Sequence, residues 1–148
     1  MLRIKVLVST LPLIAAAVTA KVELAPSLQP CIAVGADSFA PGSAPFADLH
    51  VAFTDDPALA SVRVAIADSP EAADFVVVDD SPSHEDRGCG VSAATKSVAM
   101  DAGPTHDVPR IYLAMEGAAG EPADYRIYVR SSRFTPRQAA ALLVAARN

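Results

Sequence analysis

The chain has 148 residues and a formal net charge of −5, from 17 acidic residues against 12 lysines and arginines. That length is enough for one domain with a hydrophobic core of its own. The excess of negative charge argues against nucleic acid as a partner, because phosphates repel an acidic protein.

Residues 1–20 have the pattern of a secretory signal peptide. Two basic residues among the first five precede an uncharged, mostly apolar run over 6–18, and Val18-Thr19-Ala20 offers small residues for cleavage. The run is too short to span a bilayer, and no longer apolar run follows it. An alanine-rich, lysine-poor composition favours a bacterial source. We therefore expect a soluble mature chain from about Lys21, periplasmic or secreted, with no membrane insertion after cleavage.

The two cysteines, Cys31 and Cys89, indicate one disulfide, since an even number of cysteines in an exported chain normally pairs. In the chain-entropy treatment, a loop of this length stabilises the folded state by roughly 4 kcal/mol. Two free thiols are the alternative.

The first part of the mature chain reads as irregular structure around one short strand. Residues 21–30 contain two prolines and are expected to form an extended arm. Residues 31–34 are apolar and predict a strand. Residues 37–47 contain prolines and a glycine, which favour a loop.

Two stretches thirteen residues apart, Val51–Ala60 and Val64–Ala73, share one pattern. Each has a short apolar run, then a polar residue directly before a proline, then small residues. Asp56 and Ser69 are the polar residues, and both side chains are expected to cap a short helical turn that begins at the proline. The pattern predicts strands joined by such turns.

The strands after these turns are predicted at Val62–Ile66 and Phe75–Val78. The second is continuously apolar, which is typical of a strand covered on both faces. Residues 62–80 and 109–131 resemble each other, since both hold an arginine-led strand and an Ala-Asp-aromatic entry into the next strand. We interpret them as an internal repeat; chance similarity in a chain rich in Ala, Val and Asp is the alternative.

The chain ends in its clearest helix signal. Thr135 is a predicted N-cap, Pro136 occupies the first helical position, and Gln138 completes a capping box. Good helix formers follow over 139–146, with Leu142 and neighbouring residues available to pack on a sheet.

The predicted fold is α/β: a small single domain, 31–148, with a mixed β-sheet of short strands, short connecting helical turns and the C-terminal helix on one face. A further strand is predicted over 95–100, after a polar loop over 81–90.

No set of residues has the spacing of a known catalytic motif, and no cofactor is expected. The best local metal-ligand candidates follow the strand Phe75–Val78, where carboxylates and a histidine cluster. They are Asp79, Asp80, His84, Glu85 and Asp86. Solubilising charges at a strand end are the alternative interpretation.

The strand Arg126–Arg130 alternates, so Ile127 and Val129 are expected to be buried and the side chains between them exposed. An earlier strand alternates in the same way, and pairing of the two would bring arginines and tyrosines onto one surface. The candidate binding residues are Arg110, Tyr112, Arg126, Tyr128 and Arg130. Arginine and tyrosine are frequent anchors of protein interfaces. Pairing of the arginines with the chain's own acids is the alternative interpretation.

The sequence therefore supports two functional hypotheses. The first is a small exported, non-enzymatic binding or accessory protein, with an acidic protein or envelope component as the partner of the arginine and tyrosine face. The alternative is an exported metal-dependent enzyme or metal-binding protein that uses His84 and the acids around it.

Overall fold

The computed structural model describes residues 30–78, 89–101, 107–115, 117 and 122–148. The predicted signal peptide and nearly all of the predicted arm lie outside these residues. Within them the chain forms eight strands, two 3-10 helices and one α-helix. The elements are β1 (Ile32–Val34), β2 (Asp37–Pro41), β3 (Leu49–Phe53), a 3-10 helix (Pro57–Leu59), β4 (Val62–Ile66), a 3-10 helix (Pro70–Ala72), β5 (Phe75–Val78), β6 (Lys96–Asp101), β7 (Arg110–Met115), β8 (Tyr125–Arg130) and α1 (Pro136–Arg147).

All eight strands belong to one sheet, in the order β1-β2-β6-β3-β7-β4-β8-β5. Only β1 is antiparallel to its neighbour; every other pair is parallel. The order is interleaved, because β6, β7 and β8 each lie between two strands of the earlier series β2, β3, β4 and β5.

The register explains how connections of only seven to nine residues can join parallel strands, which usually need a dozen or more. Phe53 at the end of β3 and Val62 at the start of β4 both pair with Ile111. In the same way, Ile66 and Phe75 both pair with Ile127. Each of these strands therefore begins level with the last residue of the preceding strand. The connection does not have to run back along the length of a strand.

A polar side chain just before several strands fixes this register. Asp74 accepts a hydrogen bond from the backbone N–H of Arg126 at 2.8 Å, and its own N–H donates to the Arg126 carbonyl at 2.8 Å. Asp124 makes the same two contacts with Arg63, at 2.7 and 2.8 Å. Ser61 does so with Arg110, at 2.8 and 2.9 Å.

These contacts give the Ala-Asp-aromatic entries a physical role. The aspartate satisfies the first backbone donor of the neighbouring strand, which would otherwise lack a partner in the ladder. Asp48 occupies the corresponding place before β3, thirteen residues ahead of Ser61, and accepts from the N–H of Ser97 at 2.7 Å. We call these four side chains, Asp48, Ser61, Asp74 and Asp124, the strand-entry clamps. The predicted repeat of 62–80 and 109–131 stays a prediction.

The core lies between the sheet and α1. The seven consecutive residues Ala139–Ala145 are all buried, so the helix is covered around its whole circumference. It contacts every strand from β1 to β4 and from β6 to β8. One flat sheet cannot do this, and the sheet curls around the helix. Arg137 and Arg147 stack on Phe53 and Phe75, 3.9 and 5.1 Å from the ring centroids.

The helix prediction is confirmed in detail. Thr135 accepts from the backbone N–H of Gln138 at 3.2 Å, and the Gln138 side chain accepts from the Thr135 N–H at 3.0 Å. The 3-10 helices also begin at the predicted prolines. Asp56 caps the first by accepting from the Ala58 N–H at 2.9 Å, but Ser69 makes no side-chain cap, so that part of the prediction is wrong.

Three further expectations need correction. The domain is mostly β, so the α/β label fits only loosely. Residues 37–41 form β2 rather than a loop, because two neighbouring strands supply hydrogen-bond partners that a local pattern does not reveal. Phe75–Val78 is not covered on both faces: β5 is the last strand of the sheet, and Val76 is 49% exposed.

The Cys31–Cys89 disulfide is present, with the two Cα atoms 5.4 Å apart. Cys31 lies directly before β1, and Cys89 precedes β6. β5 and β6 are far apart in the sheet order, and the bridge ties the segment before β6 to the start of β1.

Candidate binding surface on the convex face

The five candidate binding residues share the sheet face opposite α1, which we call the convex face. Their neighbours Ile111, Leu113, Ile127 and Val129 pack in the core with the helix, and side chains alternate along a strand. Arg126 and Arg130 are exposed, while Arg110, Tyr112 and Tyr128 are half-buried. The predicted alternation of β8 is therefore observed, with Ile127 only 1% exposed and Val129 half-buried.

The two arginine and tyrosine strands are not neighbours, which differs from the pairing considered from the sequence. β4 lies between β7 and β8. Its residue Arg63 pairs with Tyr112, and Ala65 pairs with both Ala114 and Arg126. Ala65 is buried, so the convex face is covered at this position.

Arg63 is a member of this face that the sequence interpretation missed. Its signal was present, because Arg63 alternates with Val62 and Val64 just as Arg126 alternates with Ile127. Its guanidinium donates to the Pro57 carbonyl at 3.3 Å. Part of its role is therefore to hold the first 3-10 helix.

That contact also shows where the connections run. Because Arg63 points to the convex face, the 3-10 helix it holds lies on that face, and the connection 54–61 crosses β7 there. The connection 67–74 advances across the parallel sheet in the same direction, so the same handedness places its crossing of β8 on the convex face. A similar close crossing occurs at Gly42, where an added Cβ would come within 2.8 Å of the Ser97 Cβ.

The crossings divide the convex face into two parts. Arg110, Tyr112 and Arg63 surround the first crossing. Arg126, Tyr128 and Arg130 lie at and beyond the second crossing, toward β5. There Val76 pairs with Tyr128. Val76 is the second residue of this surface that the sequence interpretation missed, because its apolar strand predicted burial on both faces.

The strands of this face are opposite in charge to the whole chain, whereas the two connections that cross the face carry acidic residues, among them Asp55, Asp56 and Glu71. Strands β4, β7 and β8 carry four arginines on the convex face and no acidic residue. Within the described part of the chain, the guanidinium groups of Arg110 and Arg126 have no hydrogen-bond or ion-pair partner. Guanidinium groups bind carboxylates and phosphates through two parallel hydrogen bonds, so the face suits an anionic partner.

The metal-ligand candidates Asp79, Asp80, His84, Glu85 and Asp86 lie outside the described residues, so the metal hypothesis stays a prediction. Among the residues that the structure does describe, no group of three or more His, Cys, Asp or Glu side chains could hold a metal ion. None of the helices in the described ranges is long and apolar enough to cross a membrane.

Comparison of this chain with protein-family models, with curated proteins and with solved structures gives no significant match.

Proposed function

We propose that this chain is a small exported binding or accessory protein that holds an anionic partner, an acidic protein or an envelope component, on its convex face. The observation that carries the proposal is Arg126. It is exposed, its guanidinium has no partner in the described part of the chain, and it shares one strand face with Tyr128 and Arg130.

The surface has the composition of an interface anchor rather than of a merely solvated face. Tyrosine buries a large, rigid ring at low entropic cost, and arginine supplies paired donors with defined geometry. A lysine-rich face would attract anions as well, but without that geometric selectivity. In this chain the convex cations of β4, β7 and β8 are all arginines.

Export is supported by the Cys31–Cys89 disulfide, because such bonds persist in oxidising compartments and are rare in reducing ones. The signal-peptide pattern of residues 1–20 is an independent argument from the sequence. Cleavage near residue 20 would be seen as the mass of the protein recovered from its native compartment.

The direct test uses a defined polyanion, poly-L-glutamate, and follows its binding by fluorescence anisotropy at low and high salt. The substitution Arg126→Gln should weaken binding by about fivefold or more, which is ~1 kcal/mol of binding free energy. The matched control is Lys96→Gln, which removes one charge from another exposed strand residue near the opposite edge of the sheet. Binding should also weaken as salt increases.

Equal effects of the two substitutions would mean that binding follows net charge alone, and the proposal would be wrong. The melting temperature provides the second readout. An Arg126→Gln/Arg130→Gln variant should melt within a few degrees of the parent. A large loss of stability would show that these arginines hold the protein's own structure.

A further inference from the structure

The outer edge of β5 has no strand beside it within the described residues. β5 pairs with β8 on one side and ends the sheet order on the other. Native edge strands are usually protected by a proline, a lysine, a bulge or short length. Both edge strands are short, with three residues in β1 and four in β5, but β5 reads Phe-Val-Val-Val and carries neither a proline nor a lysine.

The ladder shows which backbone groups face outward. The Ile127 carbonyl accepts from the Ala67 N–H, so Ile127 directs its backbone groups to β4, while both backbone groups of Arg126 contact Asp74 on the β5 side. In a parallel ladder, alternate residues direct both their N–H and C=O to the same neighbour. Tyr128 therefore bonds to β5, and because it pairs with Val76, its partners are the Phe75 carbonyl and the Val77 N–H. The N–H and C=O groups of Val76 and Val78 point to the open side.

The side chains beside this edge define what would fit it. On the convex face, Val76 is 49% exposed and lies next to Tyr128, while Val78 lies next to Arg130. Arg126 is two residues earlier on the same face of β8. An added strand would thus meet one apolar position flanked by arginines.

We infer that the β5 edge is a strand-addition site for an extended acidic segment of a partner protein. A strand added beyond β5 lies about 4.8 Å from β5 and about 10 Å from β8, a distance that an arginine and a glutamate side chain span together. Backbone hydrogen bonds to Val76 and Val78 give affinity, and the arginines of β8 select acidic side chains. This inference rests on the proposed function and specifies its partner as a protein.

The probe is an eight-residue peptide of alternating glutamate and valine, labelled for anisotropy and added to the full-length purified protein. We expect this peptide to bind. The same peptide with every backbone nitrogen methylated should bind at least about tenfold more weakly, because it cannot donate hydrogen bonds to the edge. A peptide of alternating lysine and valine should also bind about tenfold more weakly.

The second readout is amide hydrogen exchange of β5 by NMR. On peptide binding, exchange at Val76 and Val78 should slow by about tenfold or more, because these amides gain a partner. Exchange at Phe75 and Val77 should change less, because both amides already face β8.

The substitution test is Val76→Asp, which places a negative charge beside the incoming acidic strand and should weaken binding by about tenfold. The matched control is Val91→Asp, which places the same charge at another exposed valine outside the sheet. The control should leave binding unchanged.

Equal binding of the methylated and unmethylated peptides would overturn strand addition, and the proposed function would still stand if Arg126→Gln weakened poly-L-glutamate binding. Failure of the alternating acidic peptide to bind would also overturn it. A homodimer that Val76→Asp converts to monomer would overturn it too, because a second copy of this chain would then occupy the edge.

Discussion

Single side chains at the strand entries hold the interleaved sheet in register. Asp74 illustrates this, since its carboxylate and its own N–H contact both backbone groups of Arg126. A slip by one residue would break both contacts and would move every core side chain to the other face.

Asp74→Ala should lower the free energy of unfolding by about 1 kcal/mol, because the Arg126 N–H loses its acceptor. Asp74→Asn keeps an acceptor oxygen and should recover part of that loss. Urea unfolding measures both. The control is Asp55→Ala, an exposed aspartate in the connection after β3, which should change stability by less than about 0.5 kcal/mol. Equal losses for Asp74→Ala and Asp55→Ala would contradict the clamp.

Asp48 adds a pH dependence. The backbone N–H of Ser97 and then its hydroxyl donate to the Asp48 carboxylate, at 2.7 and 2.8 Å, and they lower the pKa of Asp48 below its ordinary value of 3.8. Because the folded state holds the proton less tightly than the unfolded state, the contribution of Asp48 to stability is complete above about pH 4. It is lost as the pH falls through the lower pKa of the folded protein.

The difference in unfolding midpoint between the parent and Asp48→Asn should therefore be largest near neutral pH and should narrow in acid. Urea titrations of both proteins from about pH 6 to about pH 2.5 measure it. Other carboxylates titrate equally in the two proteins and cancel in the difference. A difference independent of pH would show that the charge of Asp48 is not what Ser97 binds.

At the scale of elements, α1 is the organising unit of the core. It is buried on all sides by the curled sheet, and Leu142 is 1% exposed. A helix of twelve residues is marginal alone in water, so this one is stable through its packing and its caps.

Thr135→Ala removes the N-cap and should cost about 1 kcal/mol. Leu142→Ala leaves a cavity at the centre of the core and should cost about 2–5 kcal/mol. Leu59→Ala is the control, since Leu59 is 56% exposed and its truncation should cost little.

Removal of residues 135–148 should expose the sheet face that packs on α1 and give an aggregating protein. A truncated chain that is monomeric and unfolds cooperatively would show that the helix is not part of the core.

At the scale of the whole molecule, the disulfide joins the start of the first strand to the segment before β6. The cysteines are 58 residues apart, and the bridge therefore restricts a large part of the unfolded chain. Its loss should affect global stability rather than one element.

Thiol titration of the denatured, unreduced protein should find no free cysteine. Replacement of both cysteines by serine should lower the free energy of unfolding by about 2–4 kcal/mol. Two titratable thiols would contradict the bridge. An unchanged unfolding midpoint in the double-serine variant would show that the bridge does not stabilise the fold.

The sequence by itself determined the features whose signals are local. The capping box at Thr135, the proline starts of both 3-10 helices and the alternation of β8 depend on neighbours within a few residues. The disulfide was also predictable, because two cysteines allow only one intramolecular pairing.

Only the tertiary structure decided which strands are neighbours. The prolines in and after β2 predicted a loop there instead of a strand. β5 has the sequence of a buried strand, but it lies at an edge because no described strand follows it in the sheet. β4 separates the two arginine and tyrosine strands because it pairs with both β7 and β8. Alternation fixes the face on which a side chain lies, but strand order follows from backbone pairing between distant segments, which the residues along one strand do not specify.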